Sequence, residues 1–172
     1  MTERRLGAQT LHGRPLTLIG PELRLGDLAP GFQMLGKDLQ PVRFEQTQGK
    51  PRIFSVVPSL DTGVCDLQSR RFNAEAAKFR DALSVYTISM DTPFAQARWC
   101  GAADAQNLVL LSDILDQSFG PAYGVRIEEL GLLARAVFVL DGSGRLRHVQ
   151  YVGEMGEHPD YDAALSAARE LL

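Results

Sequence analysis

The middle of the chain alternates short apolar segments with helical patterns, and this alternation limits the possible folds more than any other feature. Three apolar segments are typical of buried strands: Arg52 to Val57, Ser84 to Ser89 and Leu108 to Leu111. Helical spacing of apolar residues fills the gaps between them, over Val64 to Arg80 and over Phe94 to Ala103. Because strands connected through helices pair in parallel, we expect a parallel core in the sheet.

The last third of the chain predicts further elements beside this core. Asp116 to Tyr123 predicts a short helix. Ala136 to Leu140 and Leu146 to Val152 flank the turn sequence DGSG at residues 141–144, which predicts a β-hairpin, and Asp160 to Leu172 predicts a closing helix. We therefore expect an α/β fold in which helices flank a mixed central sheet.

The N-terminal residues predict an added β-hairpin. Thr10 to Leu11 and Pro15 to Ile19 flank Gly13, and Phe32 to Leu35 and Val42 to Phe44 predict two more short strands. With 172 residues, of which 45% are hydrophobic, the chain can bury a sizeable core. We expect one domain over residues 1–172, with residues 1–20 as an N-terminal hairpin extension.

Composition excludes several classes of function. Eighteen basic and 21 acidic residues give a net charge of −3 without long runs of like charge, so neither nucleic acid nor a membrane surface is predicted as a partner. The sequence contains neither a signal-peptide pattern nor an apolar stretch of about 18 residues, so we expect a cytoplasmic protein. The three histidines are scattered and no His, Cys or acid cluster has metal-ligand spacing, so no metal or other cofactor is predicted.

Cys65 is the first candidate for chemistry, because it follows the apolar strand ending at Val57 and lies in the first turn of a predicted helix. Unpaired N–H groups and the positive end of the helix dipole favour the thiolate, the nucleophilic form of cysteine. The charges of Asp61 and Asp66 oppose this effect, so a cation from elsewhere in the chain is needed. The alternatives are a buried structural cysteine, and a Thr62 that acts as the helix N-cap only.

Three segments, in order, resemble the thiol peroxidase group of the peroxiredoxins: residues 58–65 (PSLDTGVC), 89–101 (SMDTPFAQARWCG) and 133–141 (LARAVFVLD). The first contains the peroxidatic pattern Pro58-x-x-x-Thr62-x-x-Cys65. The second is similar to the segment that carries the resolving cysteine of the group, with Trp99 where a phenylalanine is expected. The third is similar to the strand that carries its active-site arginine. With the N-terminal extension and residues 157–165, the similarity covers nearly the whole chain.

The resemblance implies a thioredoxin-like fold with the N-terminal hairpin added, and the predicted order of elements fits such a fold. It also implies an antioxidant enzyme that reduces hydrogen peroxide and organic hydroperoxides. By resemblance, Cys65 is the peroxidatic and Cys100 the resolving cysteine. Thr62 then contacts both the sulfur and the peroxide, Arg135 supplies the cation, and Pro58 shields the pocket from water.

The resemblance further implies how such an enzyme is recycled. A sulfenic acid on Cys65 is trapped by Cys100 as an intramolecular disulfide, which thioredoxin then reduces, and the family commonly forms homodimers. A transient disulfide is consistent with a reducing compartment. A peroxide sensor that relays oxidation to a partner protein is the alternative. A general disulfide oxidoreductase is disfavoured because the sequence contains no Cys-x-x-Cys, and a structural disulfide protein is the remaining possibility.

The spacing of the two cysteines predicts a conformational change. Cys100 lies 35 positions after Cys65, within the next predicted helix. A disulfide requires the two α-carbons to come within about 4.4 to 6.8 Å, which is difficult if each residue stays in its own helix. We therefore expect oxidation to unwind the Cys65 turn and the Cys100 helix in part.

Overall fold

A computed structural model describes residues 2–172, and this range contains ten β-strands and four α-helices. The strands are β1 (Arg4–Leu11), β2 (Arg14–Ile19), β3 (Gln33–Leu35), β4 (Pro41–Arg43), β5 (Arg52–Val56), β6 (Ser84–Ser89), β7 (Val109–Ser112), β8 (Arg126–Ile127), β9 (Ala136–Leu140) and β10 (Leu146–Tyr151). The helices are α1 (Gly63–Phe79), α2 (Pro93–Ala103), α3 (Phe119–Ala122) and α4 (Tyr161–Arg169). Short 3-10 turns occupy Phe44–Thr47 and Arg80–Ala82.

Within residues 2–172 the strands form a seven-stranded sheet in the order β10-β9-β5-β6-β7-β3-β4 and a three-stranded sheet in the order β1-β2-β8. β5 pairs in parallel with β6, and β6 pairs in parallel with β7, while β9 is antiparallel to β5. The predicted mixed sheet with a parallel core is confirmed. Because β5, β6 and β7 are parallel, the loops after all three begin at one edge of the sheet.

Helices and loops cover both faces of the central sheet, so β5 is buried along its whole length. Alternate residues of the strand face opposite sides. Phe54 and Val56 belong to one apolar cluster, and Ile53 belongs to the other, together with Phe72 of α1 and Leu165 of α4. This packing fixes α1 against the sheet and therefore fixes the position of its first turn.

The N-terminal hairpin is longer than predicted, because β1 begins at Arg4 rather than at Thr10. The early part of β1 has no apolar alternation that could have indicated a strand. Its pairing with β2 is irregular between Arg5 and Gln9, where Gly7 has a φ of +69°. β8 has only two residues and was not predicted.

The predicted helix over Asp116 to Tyr123 is shorter in the structure, where α3 covers Phe119–Ala122. Gln117 has a φ of +50°, a left-handed conformation that interrupts a helix. The helical turn begins where Asp113 accepts the backbone N–H groups of Phe119 (3.0 Å) and Gly120 (2.8 Å). In residues 2–172 no helix combines the length and the apolar character needed to cross a membrane.

Candidate active site

The structure places Cys65 in the first turn of α1, where the sequence predicts it. The helix begins at Gly63, with Thr62 in the N-cap position, and Cys65 is fully buried. The backbone N–H groups of a first helical turn have no partner within the helix, and the helix dipole is positive there. The sulfur therefore lies in a region that favours negative charge.

Arg135 provides a cation beside this sulfur. Its guanidinium is almost fully buried, and Nη2 donates to Cys65 Sγ across 3.5 Å. Nε and Nη2 also donate to the carbonyl oxygen of Met155 (3.0 and 2.8 Å), and Nη1 donates to Gln68 Oε1 (2.9 Å). These contacts hold the planar group in one orientation, so its charge acts on the sulfur at a fixed distance in a site that water screens poorly.

Gln68 is a residue of this site that the sequence reasoning missed. It lies three positions after Cys65, on the same face of α1, and is fully buried. Besides accepting from Arg135, it donates through Nε2 to Ser55 Oγ of β5 (2.8 Å). The signal that could have identified it is its position in the sequence: Gln68 lies one turn after the candidate cysteine, on the same face of the predicted helix. Gln68 thereby links the guanidinium to the central sheet.

Asp91, also missed, holds the loop that leads into α1. It follows β6, and because β5 and β6 are parallel, it lies at the same sheet edge as this loop. Its carboxylate accepts hydrogen bonds from Ser59 Oγ, from the Leu60 N–H and from Ser89 Oγ, each at 2.8 Å. The loop before Cys65 is thus fixed to the end of the neighbouring strand.

The other two residues predicted for the pocket lie in this loop. Pro58 is buried, and Thr62 is exposed. Thr62 is the N-cap by position, but within residues 2–172 its hydroxyl caps no helical N–H and instead donates to the carbonyl oxygen of Ser59 (2.9 Å). In this state the hydroxyl is therefore neither a cap nor bonded to the sulfur.

Cys100 lies in α2 and is partly exposed. Its Sγ donates to the carbonyl oxygen of Ala105 (3.2 Å), whereas Cys65 Sγ contacts Arg135. Both cysteines are free thiols in the structure, which describes residues 2–172. The structure thus corresponds to a dithiol state in which both cysteines are helical and bonded to different partners.

The arrangement around Cys65 suits nucleophilic attack on a small electrophile. The sulfur lies at a helix N-terminus and accepts a hydrogen bond from a guanidinium, and the same N–H donors can stabilise charge on a departing atom. Because Cys65 is fully buried, a reactant reaches the sulfur only when neighbouring side chains shift. In residues 2–172, no three or more His, Cys, Asp and Glu side chains come together as a possible metal site.

Comparisons with known proteins give matches over nearly the whole chain. A model of the Redoxin family matches residues 24–165. Thiol peroxidases from Halalkalibacterium halodurans and Bacillus subtilis are 53% and 52% identical over 163 residues, which is 95% of this chain and 98% and 97% of theirs. The crystal structure of a peroxiredoxin-like protein from Aquifex aeolicus superposes with a TM-score of 0.89 at 38% identity, covering 98% of this chain and 99% of that chain. The predicted thioredoxin-like fold with an added N-terminal hairpin is thus confirmed.

Proposed function

Because this chain belongs to the Redoxin family, within its thiol peroxidases, we propose that it reduces hydroperoxides through Cys65 and that Cys100 resolves the oxidised sulfur as a disulfide. Thiol peroxidase activity is carried over from relatives that are 53% and 52% identical over 95% of the chain. The proposal identifies the atoms of this chain that carry out this activity. The observation that carries it is the 3.5 Å contact between Arg135 Nη2 and Cys65 Sγ.

In the first step the Cys65 thiolate attacks one oxygen of the hydroperoxide. A sulfur–oxygen bond forms as the oxygen–oxygen bond breaks, so the sulfur is oxidised to a sulfenic acid and the other oxygen leaves as an alkoxide or hydroxide, which takes up a proton. Arg135 and the backbone N–H groups of the first turn of α1 stabilise the charge on the departing oxygen. Thr62 Oγ1 turns from Ser59 to the peroxide, and Pro58 keeps bulk water away.

In the second step the Cys100 thiol condenses with the sulfenic acid of Cys65, forming the disulfide and releasing water. Each cysteine lies in its own helix, so this step includes partial unwinding of α1, α2 or both. A dithiol protein of the thioredoxin type then reduces the disulfide through a mixed disulfide. Attack at the Cys100 sulfur is favoured because Cys100 is partly exposed and Cys65 is buried.

The proposal also covers the setting of the enzyme. A thioredoxin-dependent cycle requires a reducing compartment, which supports a cytoplasmic location. A homodimer is proposed from the family resemblance. One domain over the whole chain is proposed because a single apolar cluster joins Leu16 and Leu18 of the hairpin sheet to Phe54 and Phe138 of the central sheet.

Consumption of hydrogen peroxide and of an organic hydroperoxide with a thioredoxin system tests the proposal, using wild type, Cys65→Ser and Cys100→Ser. We expect wild type to turn over and Cys65→Ser to be inactive. Cys100→Ser should consume one equivalent and then stop. Peroxide reduction by Cys65→Ser, or sustained turnover by Cys100→Ser, would overturn the roles proposed for the two cysteines. A wild type that reacts once but turns over poorly with thioredoxin would indicate the sensor instead.

A further inference from the structure

A hydrogen bond joins the segments that carry Cys65 and Cys100, and it is formed by residues next to the cysteines rather than by the cysteines themselves. Asp66, which follows Cys65, accepts a hydrogen bond from the indole Nε1 of Trp99, which precedes Cys100. The distance is 2.8 Å, and the two residues are 33 positions apart in sequence. Trp99 is only 7% exposed, so the contact is largely shielded from water on its indole side.

The carboxylate in this contact is held in place by a second donor. Arg70 Nε lies 3.0 Å from both oxygens of Asp66, one helical turn away in α1. A hydrogen bond to an oriented carboxylate is stronger than one between neutral groups. Arg98 and Asp61 form another link between the same segments (2.9 Å), but both side chains are about two-thirds exposed, and such ion pairs contribute little.

We expect formation of the disulfide to separate Asp66 from Trp99. A disulfide forms only when the cysteine backbones approach closely, and the two sulfurs lie in different helices with different partners, so we expect one or both helical turns to unwind. Asp66 moves with the Cys65 turn, and Trp99 moves with the Cys100 turn. Unwinding of either turn therefore carries one partner away from the other.

We propose that the hydrogen bond between Asp66 and Trp99 is a clasp that keeps both turns helical and sets the rate at which oxidised Cys65 is resolved. The inference rests on the proposed function. While the clasp is closed, the sulfenic acid of Cys65 can meet a second hydroperoxide, which is reduced to an alcohol, or to water if it is hydrogen peroxide, as the sulfur becomes a sulfinic acid. When the clasp opens, the Cys100 thiol condenses with the sulfenic acid and water leaves. Asp66 and Trp99 are thus positioning residues, and they control how much of the sulfenic acid becomes the disulfide and how much becomes the sulfinic acid.

Trp99→Phe tests the clasp, because phenylalanine keeps an apolar ring but removes the donor. Rapid mixing with peroxide, acid quenching and mass spectrometry measure sulfenic acid, disulfide and sulfinic acid over time. Loss of the bond should speed disulfide formation about tenfold and lower the sulfinic fraction per turnover. The rate of the first oxidation of Cys65 should stay within about twofold of wild type, which separates the clasp from a general effect on the site.

The matched control is Arg98→Gln, which removes the exposed ion pair between the same two segments. Its rate of disulfide formation should stay within about twofold of wild type. Asp66→Asn, which keeps a weaker acceptor, should shift the rate in the same direction as Trp99→Phe but less, and it replaces that variant if the phenylalanine does not fold. An unchanged rate in both variants, or an equal acceleration by Arg98→Gln, would overturn the clasp.

Hydrogen exchange of the reduced protein tests the clasp without any peroxide. Backbone amides at residues 66–69, whose carbonyl acceptors lie at residues 62–65, should exchange faster in Trp99→Phe than in wild type, because the first turn of α1 opens more often. If Cys65 of the wild type did not react with peroxide, the proposed function would be wrong, and unchanged exchange in the variant would by itself rule out the clasp.

Discussion

Arg135 Nη2 donates a hydrogen bond to Cys65 Sγ although 70 positions separate the two residues in sequence. The register of the central sheet brings them together. β9 is antiparallel to β5, and Ala136 at the start of β9 pairs with Val56 at the end of β5. The residue before β9 and the loop after β5 therefore lie at the same edge of the sheet.

Arg135→Met should slow the oxidation of Cys65 by about 100-fold, because it removes the cation and a donor from the reacting atoms. The rate is measured by rapid mixing with a hydroperoxide under single-turnover conditions. Arg135→Lys is the control that keeps the charge but not the planar set of donors, and its rate should fall between those of wild type and Arg135→Met. A rate for Arg135→Met within about threefold of wild type would contradict the proposed role of the guanidinium.

Gln68→Met should leave Cys65 in place but loosen Arg135. The buried Nη1 of Arg135 loses its acceptor, so we expect a loss of about 1 to 3 kcal/mol in the free energy of unfolding and about a tenfold slower oxidation of Cys65. Ser55→Ala, which removes the partner on the far side of Gln68, should change this rate by less than about twofold. Denaturant unfolding and single-turnover kinetics measure the two effects. Equal rates in Gln68→Met and wild type would show that Arg135 needs no support from Gln68.

Asp91→Ala should destabilise the loop before Cys65. Three donors lose one shared carboxylate, so we expect unfolding to become easier by about 2 to 4 kcal/mol, and peroxide reduction to slow as the loop becomes mobile. Ser59→Ala removes one of the three bonds and should cost about 1 kcal/mol. Thermal unfolding of both variants provides the comparison. A variant Asp91→Ala as stable as wild type would mean that the loop is held by other contacts.

Much of this site could be predicted from the sequence, and what could not depends on contacts between distant segments. Cys65 follows a buried strand and begins a helical pattern, so local order alone indicates its place. Arg135 was predicted only because residues 133–141 resemble the strand that carries the active-site arginine of thiol peroxidases. No local sequence pattern indicates that it lies close to Cys65. Asp91 was missed because its partners are set by the parallel pairing of β5 and β6, which the sequence pattern does not specify. Gln68 was missed because its partners, Ser55 and Arg135, reach it through the packing of α1 and the antiparallel pairing of β9 with β5.

The same limit explains the errors in the fold. Long strands such as β9 and β6 have continuous apolar or β-branched residues, and the sequence predicts their bounds as the structure has them. The early part of β1 and all of β8 are held by pairing with β2 rather than by their own composition, so pattern alone did not indicate them. The helix predicted over Asp116 to Tyr123 was too long, because the sequence gives no clear sign of the left-handed backbone at Gln117.

Asp141 should make stability depend on pH in the acid range. Partial burial by itself raises the pKa of Asp141, but hydrogen bonds from Ser143, Arg145 and Arg147 together lower it to about 2, from an ordinary 3.8. Because the pKa is lower in the folded state, the stabilisation is complete above about pH 4 and is lost as the pH falls towards about 2. Asp141→Asn should therefore lose about 1 to 2 kcal/mol at neutral pH, after allowance for solvent screening.

Denaturant unfolding of wild type and Asp141→Asn at several pH values measures this effect. The difference between the two proteins should shrink steadily as the pH falls from about 4 towards about 2. A difference that stays constant over that range would show that the charge of Asp141 does not stabilise the hairpin between β9 and β10.

The role of Cys65 as the nucleophile can be tested by locating the oxygen that a hydroperoxide leaves on the protein. Reduced Cys100→Ser is mixed with one equivalent of hydroperoxide in the presence of a reagent that traps sulfenic acids, and the modified residue is identified by peptide mass spectrometry. We expect one adduct per chain, on Cys65, together with loss of one equivalent of peroxide. Unconsumed peroxide, or an adduct at any residue other than Cys65, would contradict this role.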